Sequence, residues 1–206
     1  MARPEPTPRR SRARALRYAL WFLVAAVLAL MILVFALGRK EVGDAMSGPA
    51  YGGPFQLVDQ RGAPVTEAVL RGRPTALFFG FTHCPDVCPT TLYELAGYQK
   101  ALKADGRDLN IVFVTVDPAR DTPEILRTYV GALSDDVTAL TGDDAQVEAM
   151  LKSYGIYFKK VPQGADYTMD HTASVLLLDR TGALRGTIAF GEDPATAKLK
   201  LERLGA

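Results

Sequence analysis

Apolar and polar positions change rhythm several times along the chain, and each change marks an element. Tyr18 to Leu37 is uncharged over twenty residues. Coiled as a helix, this stretch is about 30 Å long, the thickness of a bilayer core, so a transmembrane helix is predicted over 18–37. Residues 38–54 show no apolar period and are rich in Gly, with Ser and Pro, as expected of a flexible linker. From residue 55 to 206 the rhythm is that of one folded domain. Phe55–Val58 and Val65–Thr66 read as short strands around the turn Asp59–Gly62. Ala76–Phe81 and Ile111–Val116 are nearly continuous apolar runs, the mark of strands covered on both faces.

Between and after these runs the period changes to that of helices. Leu92, Leu95, Gln99 and Leu102 keep helical spacing up to Gly106. Thr122 caps a second helix with Pro123 in its first position and Ile125, Leu126, Tyr129, Val130 and Leu133 on its inner face. Val137–Leu140 is a short strand. Asp143 or Asp144 opens a third helix carrying Val147, Met150, Leu151 and Tyr154, with Gly155 suited to its C-terminal cap. Ile156–Val161 reads as extended, and Tyr167–Thr172 as a loop. Ala173–Leu178, the turn Asp179–Gly182 and Leu184–Phe190 form an antiparallel hairpin, and Asp193-Pro194 starts a last helix. Strands alternating with helices, then a hairpin and helix, give an α/β class: a thioredoxin-like mixed sheet between helices, preceded by one N-terminal transmembrane helix.

Charge adds topology. Residues 1–17 are basic, with six arginines before the apolar stretch and only Arg39 and Lys40 directly after it. The N-terminus is therefore expected to stay in the cytoplasm and the C-terminal domain to face the other side. A cleaved signal peptide has an apolar region of only about 7–15 residues, so an uncleaved anchor fits better. The net charge of +1 hides a division: residues 1–40 hold eight basic residues and one acid, and residues 41–206 hold sixteen and twenty-two. An acidic domain with no basic stripe excludes nucleic acid as a partner.

The two cysteines, the whole complement of the chain, stand four apart in Phe81-Thr82-His83-Cys84-Pro85-Asp86-Val87-Cys88-Pro89. They follow a buried strand and open a helix, where a thiolate is favoured. A structural disulfide here would close a loop too short to restrain much of the unfolded chain. Two uses stay open. In a redox use, Cys84 attacks and Cys88 resolves; three residues separate the pair where thioredoxin-type exchangers have two, and Asp86 opposes thiolate formation. In a metal use, a third donor is needed, and the chain offers only His83 and His171. His83 adjoins Cys84, which makes shared ligation of one ion awkward, so it reads as a loop residue. His171 precedes an apolar strand that faces the cysteine loop and is the candidate ligand. Two thiolates and an imidazole suit Cu(I), and can also hold Cu(II) or Zn(II). Met46, Met150 and Met169 are further thioether candidates, Met150 at core spacing. Asp117 and Arg120 lie at the end of the second buried strand, on the edge that ligand sites favour. Capping and loop chemistry account for Asp121 or Thr122.

Three motifs then align with a known family: the cysteine segment, Val116-Asp117-Pro118 with Arg120-Asp121-Thr122-Pro123, and Asp170-His171-Thr172. Over residues 50–204, and in its anchor, the chain resembles the Sco/SenC proteins, membrane-anchored copper chaperones for cytochrome c oxidase assembly. The resemblance implies copper, as Cu(I) or Cu(II), held by Cys84, Cys88 and His171, with Asp86, Asp117, Arg120 and Asp170 as supporting or docking residues. It implies delivery of copper to the binuclear site of oxidase subunit II by a carrier that is not an enzyme. The alternative is a thiol-disulfide oxidoreductase, with Cys84 and Cys88 catalytic, that reduces the cysteines of that site or acts as a redox sensor. An upstream copper donor and a thioredoxin-like reductant are the further partners expected. The short N-terminus points to a bacterial inner membrane protein with a periplasmic domain.

Overall fold

The computed structural model describes residues 17–31 and 51–204. The chain divides into two units, Met1–Pro49 and Ala50–Ala206. In the first, residues 17–31 form a helix, α1, whose side chains are all exposed, Trp21 and Phe22 to 70% and 78%. The expected span of 18–37 runs on into residues 32–37, which lie outside the described ones, as do most of the basic N-terminus and residues 38–50 of the linker. Among the described residues no helix is long and apolar enough to cross a membrane.

The second unit is built on a seven-stranded mixed sheet in the order β2-β1-β5-β4-β3-β8-β9. Its strands are β1 (Gln56–Asp59), β2 (Pro64–Thr66), β3 (Thr75–Gly80), β4 (Asn110–Thr115), β5 (Val137–Thr141), β8 (Val175–Leu178) and β9 (Leu184–Ile188). β3, β4 and β5 run parallel and the outer pairings are antiparallel. Every residue of β3, β4 and β8 is buried, which is why these segments read as unbroken apolar runs. Four helices pack on the sheet: α2 (Val87–Ala104) against β4, α3 (Pro123–Gly131) against β5, α4 (Asp144–Ser153) against β1, and α5 (Pro194–Leu204) against β8 and β9. Thr122 caps α3 through Oγ1, and Asp143 forms a capping box with Gln146 on α4.

Two local expectations are corrected. Ile125 is 41% exposed and does not belong to the inner face of α3; Leu126 and Val130 carry that face. More consequentially, Tyr167–Thr172 is not a loop. Asp166–His171 is strand β7, paired antiparallel with β6 (Phe158–Gln163) in a separate two-stranded ribbon. Gly164 and Ala165 turn the ribbon; Gly164 has φ 62° and Ala165 does not share a positive φ, the pattern of a type II′ turn. The ribbon buries no residue fully, so it lacks the apolar alternation that marks a strand in sequence.

Candidate metal centre

The chain leaves β3 at Gly80 and enters α2 at Val87, and the six residues between them form the floor of the site. Cys84 N–H donates to Phe81 O at 3.2 Å, folding the loop into a turn that stands Cys84 over the helix start. Cys84 is half-buried, and Cys88, in the first turn of α2, is fully buried. Both are free thiols. Cys88 N–H donates to Cys84 Sγ at 3.4 Å. With the Cys88 S–H donating first, and the backbone N–H groups of Cys88 and Asp86 adding to it, the Cys84 thiol is lowered to about 5 against the opposition of burial. Cys88 is pushed the other way, because its S–H donates a hydrogen bond to Cys84 and because it is buried. The pair therefore holds one proton at neutral pH, mostly on the inner sulfur.

Asp86 does not act as its charge suggests. Its side chain is exposed and accepts from Thr90 Oγ1 at 3.3 Å, while its backbone N–H stabilises the Cys84 thiolate. Iodoacetamide is expected to modify Cys84 in preference to Cys88, at a rate level through neutral pH that falls as pH drops through about 5, where the thiolate takes its proton. Mass spectrometry of the quenched protein reads both site and rate; equal labelling of the two cysteines would contradict the polarised pair.

His171 arrives from the far side, as the last residue of β7. Its Nε2 lies 3.8 Å from Cys88 Sγ. Nδ1 is 2.9 Å from Thr172 O, so it carries the ring proton and leaves the Nε2 lone pair directed at the sulfur. Phe81 meets the imidazole edge-to-face, centroids 5.7 Å apart, and fixes its plane. A sulfur about 2.3 Å and a ring nitrogen about 2.1 Å from one ion, about 120° apart, lie about 3.8 Å from each other. The Cys88–His171 pair already has that separation. Among the described residues no three His, Cys, Asp or Glu side chains are yet gathered around an ion, so completing the trio with Cys84 takes a side-chain adjustment.

Two acids build the frame, and only one of them was singled out from sequence. Asp117, 4% exposed, pairs through Oδ2 with Arg120 Nε and accepts from Tyr167 O–H through Oδ1 at 2.9 Å. Arg120 stacks on the Tyr167 ring at 3.7 Å and donates to Tyr167 O at 3.0 Å and to Asp166 Oδ1 at 3.3 Å. This clamp ties the ribbon that bears His171 to the end of β4. Asp121, read from sequence as a capping or loop residue, is wholly buried and caps nothing: Thr122 does that. Its Oδ2 accepts from Thr82 N–H at 3.1 Å and Thr115 O–H at 2.6 Å, and its Oδ1 from Thr82 O–H at 2.6 Å. It bolts the cysteine loop to β4, and burial raises its pKa against those donors.

Gly80 is the other residue missed. A Cβ there would fall 2.8 Å from both Cys88 Sγ and the Phe113 ring, so only glycine lets the inner sulfur sit against β3. Asp170 is exposed on β7 opposite Lys159, and strand alternation sets it on the other face from His171. Met169 shares the His171 face and packs against the core, Met150 lies in the core at 1% exposure, and Met46 falls outside the described residues.

The family model described as SCO1/SenC matches residues 43–206, which include every site residue above. The mitochondrial SCO2 protein of Saccharomyces cerevisiae is 35% identical over 196 residues, covering 87% of this chain. The chain spans 63% of that relative's length. A structure of Bradyrhizobium japonicum ScoI with copper bound is 44% identical, with TM-score 0.69 over 75% of this chain and 99% of that one. BsSco, described as a member of the Sco family of cytochrome c oxidase assembly proteins and as carrying a disulfide switch, is 27% identical, with TM-score 0.61 over 76% of this chain and 95% of that one. With the family pattern matched along most of its length and a thioredoxin-like domain to carry it, this chain belongs to the SCO1/SenC family.

Proposed function

We propose that this protein is a membrane-anchored copper carrier that loads, or prepares, the binuclear copper site of cytochrome c oxidase subunit II. The observation that carries the reading is the bare Nε2 of His171 held 3.8 Å from Cys88 Sγ, with the Cys84 thiolate beside it. Two thiolates and a neutral imidazole form a soft donor set that copper favours in either oxidation state. The copper-bound ScoI relative supports the same cargo. Cys84 offers its charge without a proton to lose; Cys88 must release one, so uptake liberates about one proton per ion. Because the inner sulfur is buried and the outer one half-exposed, the ion is held at the surface of the domain and can be passed on. The apolar stretch Tyr18–Leu37 and the arginines before it support an anchor in the bacterial inner membrane, with the N-terminus in the cytoplasm and the domain in the periplasm. An upstream copper donor and a thioredoxin-like reductant complete the expected partners.

Purified protein is expected to bind about one copper per chain, with a thiolate-to-Cu(II) absorption band. A chain that takes up no copper under reducing conditions would end this reading.

The polarised cysteine pair favours a second use of the same sulfurs. Cys84 thiolate attacks a disulfide of the client, one client sulfur leaves as thiolate, and Cys88, giving up its proton, attacks Cys84 Sγ. The products are a Cys84–Cys88 disulfide and a client dithiol, with two electrons passed to the client. A thioredoxin-like reductant then restores the pair.

A further inference from the structure

An ion arriving from water cannot reach Cys88 first, because that sulfur is fully buried, and Cys84 and His171 are both half-buried. The exposed donor is His83, next in sequence to Cys84. The His83 ring is tied in place. Its Nδ1 lies 3.1 Å from Thr82 Oγ1, and Thr82 already gives its single hydroxyl proton to Asp121 Oδ1 at 2.6 Å. Thr82 Oγ1 can then only accept, so Nδ1 of His83 carries the ring proton and Nε2 keeps the lone pair. Asp121 is 0% exposed and anchored in turn by Thr115 and the Thr82 backbone. This carboxylate–hydroxyl–imidazole chain sets His83 in a metal-ligating tautomer, as the Thr172 carbonyl does for His171.

We infer that His83 Nε2, together with Cys84 Sγ, forms a transit site that takes an incoming soft cation before Cys88 and His171 close on it. The inference rests on the copper-carrier reading. Shared ligation by the adjacent His83 and Cys84 is awkward, which makes it short-lived and suits a donor that is replaced rather than retained. The step is ligand exchange: Cys88 releases its proton to solvent, Cys88 Sγ and His171 Nε2 bind the ion, and His83 Nε2 leaves. Copper keeps its oxidation state.

The test is stopped-flow transfer of Cu(I) between a coloured chelator complex and the reduced full chain in detergent, wild type against His83→Ala, in both directions. Removing a donor used only in transit lowers the uptake and release rates together. The expected fall is about tenfold in each, within the one to three decades over which on-rates vary among variants of one site, with Kd unchanged. A loop with a merely structural histidine would leave both rates alone, and that result overturns the inference. So does a weakened Kd with uptake unchanged, which would make His83 a resident ligand or a support. Wild-type chain that binds no copper would instead overturn the carrier reading, and this inference with it.

Discussion

Replacing His171 by alanine is expected to strip copper from the protein while leaving its thiol chemistry in place. The imidazole supplies one of three donors. Outer partners of metal ligands are worth about ten- to a hundredfold in affinity, so losing a direct donor is expected to cost more than about a hundredfold. The Cys84 thiolate survives the change, because the nearby His171 is the smallest of the influences that lower it and the Cys88 S–H the largest. Copper titration against a competing chelator and the pH profile of Cys84 alkylation should therefore separate in this variant. Cys88→Ala should affect both: it removes a donor, and it sends the Cys84 thiol back toward its ordinary 9.0 by taking away its main hydrogen bond. If His171→Ala kept stoichiometric copper with an unaltered absorption band, the three-donor centre would be refuted. If it also kept full client reduction, the redox use would become the principal one.

The parts of this site that sequence made legible are those expressed within a few residues. The cysteine spacing, the buried strand before it and the helix after it form one local pattern, and His171 stood out because the chain has so few alternatives. The central sheet was legible for a similar reason: β3, β4 and β8 are buried on both faces and show it as apolar runs. What escaped depends on partners far apart in the chain. Asp121 looks like a capping residue until Thr82, 39 residues away, is found on its carboxylate. Gly80 looks like part of a strand until Cys88 is found beneath it. Of the β6–β7 ribbon, β6 was legible in part, as the extended Ile156–Val161, but its partner β7 escaped because a half-exposed strand has neither an alternating nor a continuous apolar pattern. Asp86 shows the opposite failure: its formal charge was legible, but its orientation and its backbone N–H decide the outcome.

That ribbon explains why Arg120→Ala is expected to damage a centre that Arg120 never touches. A two-stranded hairpin is marginal by itself in water and needs an anchor. Here the anchor is a guanidinium only 15% exposed, paired with an Asp117 side chain 5% exposed and stacked on Tyr167. Removing the arginine leaves Asp117 buried without its cation, a loss that typically costs about 3–5 kcal/mol. It also frees Tyr167 and Asp166 from the end of β4, and His171 with the strand they share. Denaturant unfolding should show the stability loss, and amide exchange should rise first in residues 158–171. Copper affinity should fall because Nε2 is no longer held at its distance from Cys88, while Cys84 alkylation keeps its pH profile, since the donors to that sulfur lie in its own loop and the first turn of α2. Arg120→Lys should recover only part of the loss, because an ammonium can satisfy one oxygen of Asp117 but cannot stack on the ring and reach the Tyr167 carbonyl at once. Tyr167→Phe keeps the stacking and loses one hydrogen bond to Asp117, a change of about 1 kcal/mol. An Arg120→Ala protein that unfolds earlier yet binds copper as tightly as the wild type would show that His171 is positioned by the β7–β8 connection alone.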